Sequence, residues 1–249
     1  MDQLNTRRVA LVTGGARRIG AAIVQRLHAE GWNLVIHCRQ SREQADALAL
    51  PLNTARPDSA RVIVVDLLDD GALPQLASAA VAAWGRLDLL VNNASSFYPS
   101  PVGSITEAVW FDLMGTNLKV PLFLSQACAP ALTATQGSII NIVDVHARRP
   151  LGSHVVYESA KAGLLSLCRG LARDLAPAVR VNAVAPGNIL WSDDHPHDPA
   201  IKQALLQRIP QGRMGTVQDI AASVAFLASP ESGYLTGQVI EVDGGYMLT

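Results

Sequence analysis

Tyr157 and Lys161 stand four residues apart in a stretch with helical spacing, so their side chains share one face. A free tyrosine titrates near pH ~10 and is a poor acid–base catalyst at neutral pH; an adjacent ammonium favours the phenolate and lowers that value. The pair therefore predicts proton transfer at Tyr157, with Lys161 tuning it and reaching the ribose of a nucleotide. Y-x-x-x-K occurs often by chance, and by itself a surface pair would explain it. Two further motifs make chance a poor account.

The first is Thr13-Gly14-Gly15-Ala16-Arg17-Arg18-Ile19-Gly20, placed after the apolar run Val9–Thr13 and before a helical stretch. Glycines let the backbone turn sharply beside a pyrophosphate, and a helix N-terminus offers free N–H groups with a favourable dipole. Arg17 and Arg18 bring positive charge to the same turn. The second is Asn92-Asn93-Ala94 after the fourth strand-like run, where it would border a ribose. The end of the second run discriminates between nicotinamide cofactors. An NAD site places an acid there for the ribose 2′-hydroxyl, whereas NADP needs cations. This chain has His37-Cys38-Arg39-Gln40-Ser41-Arg42, with no acid before Glu43. Arg39 can grip a 2′-phosphate with its planar fork and Ser41 can donate to it, which predicts NADP(H). Asp66 and Leu67 after the third run would meet the adenine.

These residues need a scaffold, and the chain has one pattern throughout. Val9–Thr13, Asn33–His37, Arg61–Val65, Leu87–Asn92, Ser138–Val143, Val179–Ala185 and Gln238–Val242 read as strands. Several are apolar on consecutive residues, as in a parallel sheet covered on both faces. Helical spacing fills Gly20–Glu30, Ser41–Ala49, Gly71–Ala83, Thr106–Leu132, His154–Leu175 and Val217–Ala228. Thr106–Leu132 should be one long helix bent near Pro121. Repeated β-α-β predicts an α/β fold, a single doubly wound Rossmann domain of about seven parallel strands with helices on both faces. No linker or repeat divides residues 1–249. Residues 188–211 follow Pro186-Gly187 without a strand pattern, and are the expected substrate-covering loop.

With 49% hydrophobic and 16% charged residues the chain is globular, and a net charge of −1 gives no general attraction to nucleic acid or an anionic membrane. Three scattered cysteines, Cys38, Cys128 and Cys168, form no C-x-x-C and predict neither a disulfide framework nor a zinc site. The opening MDQLNTRRVALVTGG lacks a long apolar run, and no stretch nears the ~20 apolar residues of a membrane span. A cytoplasmic protein is expected.

T-G-x-x-x-R-I-G, N-N-A, Asn117, Y-x-x-x-K, Pro186-Gly187 and the closing V-D-G-G together resemble the short-chain dehydrogenase/reductase family along nearly the whole chain. The resemblance implies that Tyr157 exchanges the proton, Lys161 assists it and binds ribose, and Asn117 holds a water in a proton relay. Most members place a serine thirteen residues before the tyrosine; here that position is Asp144. A carboxyl group suits a ring nitrogen or an amino-pyrimidine better than a ketone oxygen. That departure resembles the pteridine reductases, as do the arginine-bearing turn, the run Asn92-Asn93-Ala94-Ser95-Ser96-Phe97-Tyr98-Pro99 and the ending Asp243-Gly244-Gly245-Tyr246. By position, Phe97 would stack on a pterin against the nicotinamide, Ser95 would hydrogen-bond it, and Arg17 would serve phosphate and pterin together. An aromatic face with a few fixed polar groups is what a flat heteroaromatic ring requires.

Asn188–His197 (NILWSDDHPH) departs from those relatives; its His/Asp content fits no standard metal spacing, so no metal is expected, and Trp191 could close the pterin pocket. The expected activity is NADPH-dependent reduction of a pterin or folate. The alternatives are a general carbonyl reductase for a keto-acyl, sugar or steroid substrate, and a non-catalytic NADP sensor. The resemblance also implies a homotetramer, with Val109, Leu113, Leu118, Val120 and Leu122, and Leu164, Leu167, Cys168 and Leu171, forming an apolar stripe for symmetry mates.

Overall fold

The computed structural model describes residues 7–189 and 199–249. Seven strands, β1 (Val9–Val12), β2 (Asn33–Cys38), β3 (Ala60–Val64), β4 (Leu89–Asn92), β5 (Ser138–Ile142), β6 (Arg180–Pro186) and β7 (Val239–Val242), form one parallel sheet in the order β3-β2-β1-β4-β5-β6-β7. The order reverses between β1 and β4, and the carboxyl ends there bound the crevice in which such sheets bind ligands.

Helices cover both faces. α1 (Arg18–Ala29), α2 (Arg42–Ala55) and α8 (Val217–Ala228) lie on one; α3 (Ala72–Trp84), α5 (Val120–Thr135) and α6 (Val155–Asp174) lie on the other, with α4 (Glu107–Met114) leading into α5. This explains the unbroken apolar strands. In β1, Ala10 and Val12 join the first core while Val9 and Leu11 join the second, all four fully buried. Burying a valine or leucine contributes roughly 1.5–3 kcal/mol, so the two cores hold the sheet ends rigidly under the site.

The long helix expected over Thr106–Leu132 is divided in a particular way. Gly115–Lys119 is a π-helical turn between α4 and α5, and Pro121 falls in the first turn of α5. Proline has no N–H for the Asn117 carbonyl, so the helix widens just before it instead of bending through it. Within the stretch expected as a loop, Pro199–Gln207 forms a further helix, α7, whose Leu205 and Leu206 pack on the second core; residues 190–198 lie outside the described part.

The expected intersubunit stripe needs correction. Leu113, Val120, Leu164 and Cys168 are buried within the single chain, and Val109, Leu118, Leu122, Leu167 and Leu171 are half-buried. The exposed large apolar side chains of α4 and α5 are instead Trp110 and Phe111 on α4 and Phe123 on α5. Helical periodicity alone describes one continuous helix, whereas the π-helical turn rotates α5 relative to α4.

Candidate active site

At the carboxyl ends of β1, β2, β4, β5 and β6 lies a cavity of about 630 Å³, a size typical of small-molecule sites. Its floor is the turn from β1 to α1. Gly14 has φ +60°, and a Cβ there would lie 3.0 Å from the Ala94 Cα. A Cβ on Gly20 would fall 2.2 Å from the Gly14 carbonyl oxygen. No side-chain adjustment relieves a backbone clash, so both positions require glycine. Between them, Arg18 adopts φ 51°, a left-handed conformation uncommon outside glycine. Arg17 and Arg18 are exposed along the cavity, with Ile19 beside them.

The two nucleotide motifs brace each other. The Asn93 amide donates to the carbonyls of Thr13 (2.8 Å) and Gly14 (3.1 Å), and the Thr13 hydroxyl oxygen accepts from the N–H groups of Asn93 (2.9 Å) and Ala94 (3.0 Å). Asn93 thus closes the turn, besides lining the cavity with Ala94. His37 does similar work from β2: its Nδ1 accepts from Gly14 N–H at 3.2 Å and its Nε2 donates to the Val65 carbonyl at 3.0 Å. These partners fix a neutral tautomer. Burial lowers the His37 pKa further, so it is a strut for the turn and offers no cation to a phosphate.

Arg39 and Ser41 line the same end, Arg39 half-exposed. Asp66 supplies the acid that the run from His37 to Arg42 lacks: it places a carboxylate oxygen 3.8 Å from Arg39, while its other oxygen accepts from Leu68 N–H at 3.0 Å. It lies well along the chain from Arg39, so only the pairing of β2 with β3 brings them together. Leu67, Pro186 and Gly187 complete this wall.

At the opposite end the Tyr157 hydroxyl donates to Asp144 at 2.7 Å, and the other Asp144 oxygen accepts from His146 N–H at 2.8 Å. Lys161, fully buried, donates to the Ile142 carbonyl at 2.8 Å and lies 5.7 Å from the Tyr157 ring centre. The expected lowering of the tyrosine pKa is reversed in this arrangement. Burial first, and the Asp144 charge second, push the Tyr157 phenol well above its ordinary value. Burial pulls Lys161 down to about 8, with Asp144 opposing. The site therefore presents a protonated phenol against a carboxylate, which can donate a proton.

Asn117 has no exposure. Its amide donates to the carbonyls of Ser96 and Leu113, both at 2.9 Å, and its oxygen accepts from the Ser95 hydroxyl at 2.7 Å. The side chain is thus engaged in securing the Ser95–Ser96 loop. Phe97 lines the cavity at 55% exposure, which excludes the core role open to a lone phenylalanine. Its ring meets the Tyr157 ring edge-on at 4.8 Å. Leu151 and His146 also line this end, and nothing in their spacing announced it. Trp191 lies outside the described residues.

A family model described as enoyl-(acyl carrier protein) reductase, of the short-chain dehydrogenase type, matches residues 14–247. The chain belongs to the short-chain dehydrogenase/reductase family. This short-chain oxidoreductase is 37% identical to pteridine reductase 1 of Leishmania tarentolae, over 97% of the chain and 96% of the relative. It is 36% identical to the 3-oxoacyl-(acyl-carrier-protein) reductase of Staphylococcus aureus, over 95% of the chain and 96% of the relative. The corresponding Haemophilus influenzae enzyme is 34% identical over 97% and 99%. The alignment with the pteridine reductase runs to 281 positions against 249 residues here, so that relative carries insertions this short-chain enzyme lacks. Among the described residues no helix is long and apolar enough to cross a membrane, and no cluster of three or more His, Cys, Asp or Glu could hold a metal.

Proposed function

We propose that this enzyme reduces a pterin ring, a dihydropterin to a tetrahydropterin in the first instance and oxidised pterins or dihydrofolate by extension, with NADPH as cofactor. The observation that carries the reading is the Asp144 carboxylate at 2.7 Å from the Tyr157 hydroxyl, in a cavity faced by the half-exposed Phe97. A ketone oxygen would meet an anion there, whereas the donor-rich edge of an amino-pyrimidine is attracted to it.

The cavity fits the cofactor. Glycine-only backbone, Arg17 and Arg18 line the cavity where they would hold the diphosphate; Arg39 and Ser41 would favour a 2′-phosphate; Asp66, Leu67, Asn93, Ala94, Pro186 and Gly187, which also line it, would wall the adenosine and nicotinamide. When bound, NADPH supplies the hydride. Tyr157 donates its hydroxyl proton to the ring nitrogen beside the carbon that accepts the hydride, so that one C=N bond becomes CH–NH. Lys161 binds ribose and compensates the phenolate charge, and Asp144 holds the amino-pyrimidine and orients the Tyr157 hydroxyl. Ser95, Phe97 and Arg17 would hold the ring, and Asn117 positions Ser95.

A second reading, reduction of a 3-oxoacyl thioester, is favoured by the similarity of the acyl-carrier-protein reductases, nearly equal to that of pteridine reductase. A panel of dihydropterins, pterins, dihydrofolate and acetoacetyl thioester, each with NADPH and followed by nicotinamide absorbance, separates the two. Turnover of a dihydropterin with none of the thioester is expected; the converse overturns the pterin reading, and no oxidation of NADPH with any of them indicates a non-catalytic NADP-binding role. Three buried free cysteines suit a reducing compartment, so we place the enzyme in the cytoplasm; the exposed Trp110, Phe111 and Phe123 suit assembly as a homotetramer.

A further inference from the structure

We infer that His154 is a positioning residue for the substrate ring: it backs Phe97, fixes the plane of that platform, and thereby sets selectivity for flat heteroaromatic substrates. The inference rests on the pterin reading above.

Phe97 stands on an irregular segment, and a phenylalanine more than half exposed on a loop has no packing to hold its ring angle. Two contacts supply one. The His154 imidazole stacks on it with centroids 4.8 Å apart and planes 9° from parallel, while Tyr157 meets it edge-on at 76°. Phe97 lines the cavity and His154 does not. One face of Phe97 is therefore covered by the imidazole, and the rest of the ring is what borders the cavity.

His154 is itself held. Its Nδ1 donates to the Gly152 carbonyl at 2.7 Å, since a carbonyl only accepts. Gly152 and Ser153 carry consecutive positive φ values, 87° and 56°. The second is an uncommon, strained conformation for a residue with a Cβ, and such strain persists only where the surroundings over-determine it. The same turn is tied to the Phe97 loop: Ser100 N–H donates to the Ser153 carbonyl at 2.6 Å, and the Ser100 hydroxyl accepts from Val156 N–H at 3.4 Å. Platform, backing ring and the start of α6 thus form one unit with Tyr157. A ring held between a fixed plate and the cofactor needs its angle set beforehand, because preorganisation removes the entropy cost of setting it on binding. A flexible acyl chain gains little from such a plate.

The test compares His154→Ala, His154→Leu and His154→Phe with the wild-type enzyme on 7,8-dihydrobiopterin, alongside the NADPH Kd and quenching of pterin fluorescence as a binding readout without turnover. A stacked pair of this kind corresponds to about a three- to tenfold change in affinity. We expect the KM for dihydrobiopterin and the Kd for pterin to rise by that factor in the Ala and Leu variants. The kcat should stay within about twofold, the NADPH Kd should not move, and His154→Phe should restore binding. An unchanged KM in His154→Ala, a matching rise in the NADPH Kd, or no rescue by Phe overturns the inference and leaves the pterin reading standing. Absence of dihydrobiopterin turnover in the wild type overturns that reading, and this inference with it.

Discussion

A phenol buried against a carboxylate keeps its proton into the alkaline range, because ionising it would set two negative charges side by side. Tyr157 is accordingly poised as a donor, as a reduction requires. Removing its hydroxyl in Tyr157→Phe should lower kcat by ~10²–10⁴-fold, the usual contribution of general acid–base catalysis, with little change in the NADPH Kd. Near-normal turnover would remove Tyr157 from the mechanism. The alkaline side of the pH profile belongs to Lys161, whose pKa of about 8 lies below its ordinary value. The ammonium is present below that pH and lost above it, so kcat/KM should fall as pH rises through the region of pH 8. Asp144 raises the lysine pKa, so Asp144→Asn should shift this limb to lower pH; a limb that stays in place would show that another group titrates. At the adenosine end, Arg39→Ala removes a charged hydrogen-bonding group worth ~1.5–3 kcal/mol, about ten- to a hundredfold in affinity. The KM for NADPH should rise by that much and the KM for NADH far less. Equal use of both cofactors by the wild type would mean that Asp66, 3.8 Å from Arg39, governs the ribose instead.

At the scale of elements, the phosphate turn is the least tolerant part of the fold. Its geometry is set from three sides, by His37 from β2, by Asn93 from β4 and by its own glycines. Gly20→Ala introduces a methyl group 2.2 Å from the Gly14 carbonyl, which only a shift of the backbone can relieve. We expect the NADPH Kd to rise at least about tenfold, ~1.4 kcal/mol, measured by isothermal titration, with the circular dichroism of the sheet retained. Unchanged affinity would show that the turn is softer than its packing indicates. T-G-x-x-x-R-I-G marked this element in the sequence, because glycine at a close approach is a local requirement. The roles of His37 and Asn93 were not visible there: a side chain that bonds a distant backbone leaves no local pattern.

For the whole molecule, exposed aromatic residues decide the expectation. Trp110, Phe111 and Phe123 are 46%, 65% and 44% exposed on α4 and α5, and large apolar side chains left in water are candidates for a subunit interface. Light scattering at micromolar concentration should give a mass well above 26.4 kDa, fourfold for the tetramer. Phe111→Asp with Phe123→Asp should dissociate it toward smaller species. A stable, active wild-type monomer would show that these faces need no partner. The edge strand β7 and the segment after it, half-buried for the most part, are the second surface we expect symmetry mates to cover.

The sequence by itself determined the doubly wound sheet, the helices other than α7 in outline, and the identity of Tyr157, Lys161, Asp144 and the glycine turn. Strand runs, helical spacing and glycine requirements are short-range, each written within a few neighbouring residues. Only the tertiary structure decided what those groups face. Tyr157 meets the Asp144 carboxylate and not the Lys161 ammonium, Arg39 shares its site with Asp66, and Asn117 turns its amide to the Ser95–Ser96 loop. It also decided that Leu113 and Leu164 are interior, and that His154 backs Phe97. Charge, burial and stacking depend on distances between residues far apart in the chain, and those are set only when the two cores close on the sheet.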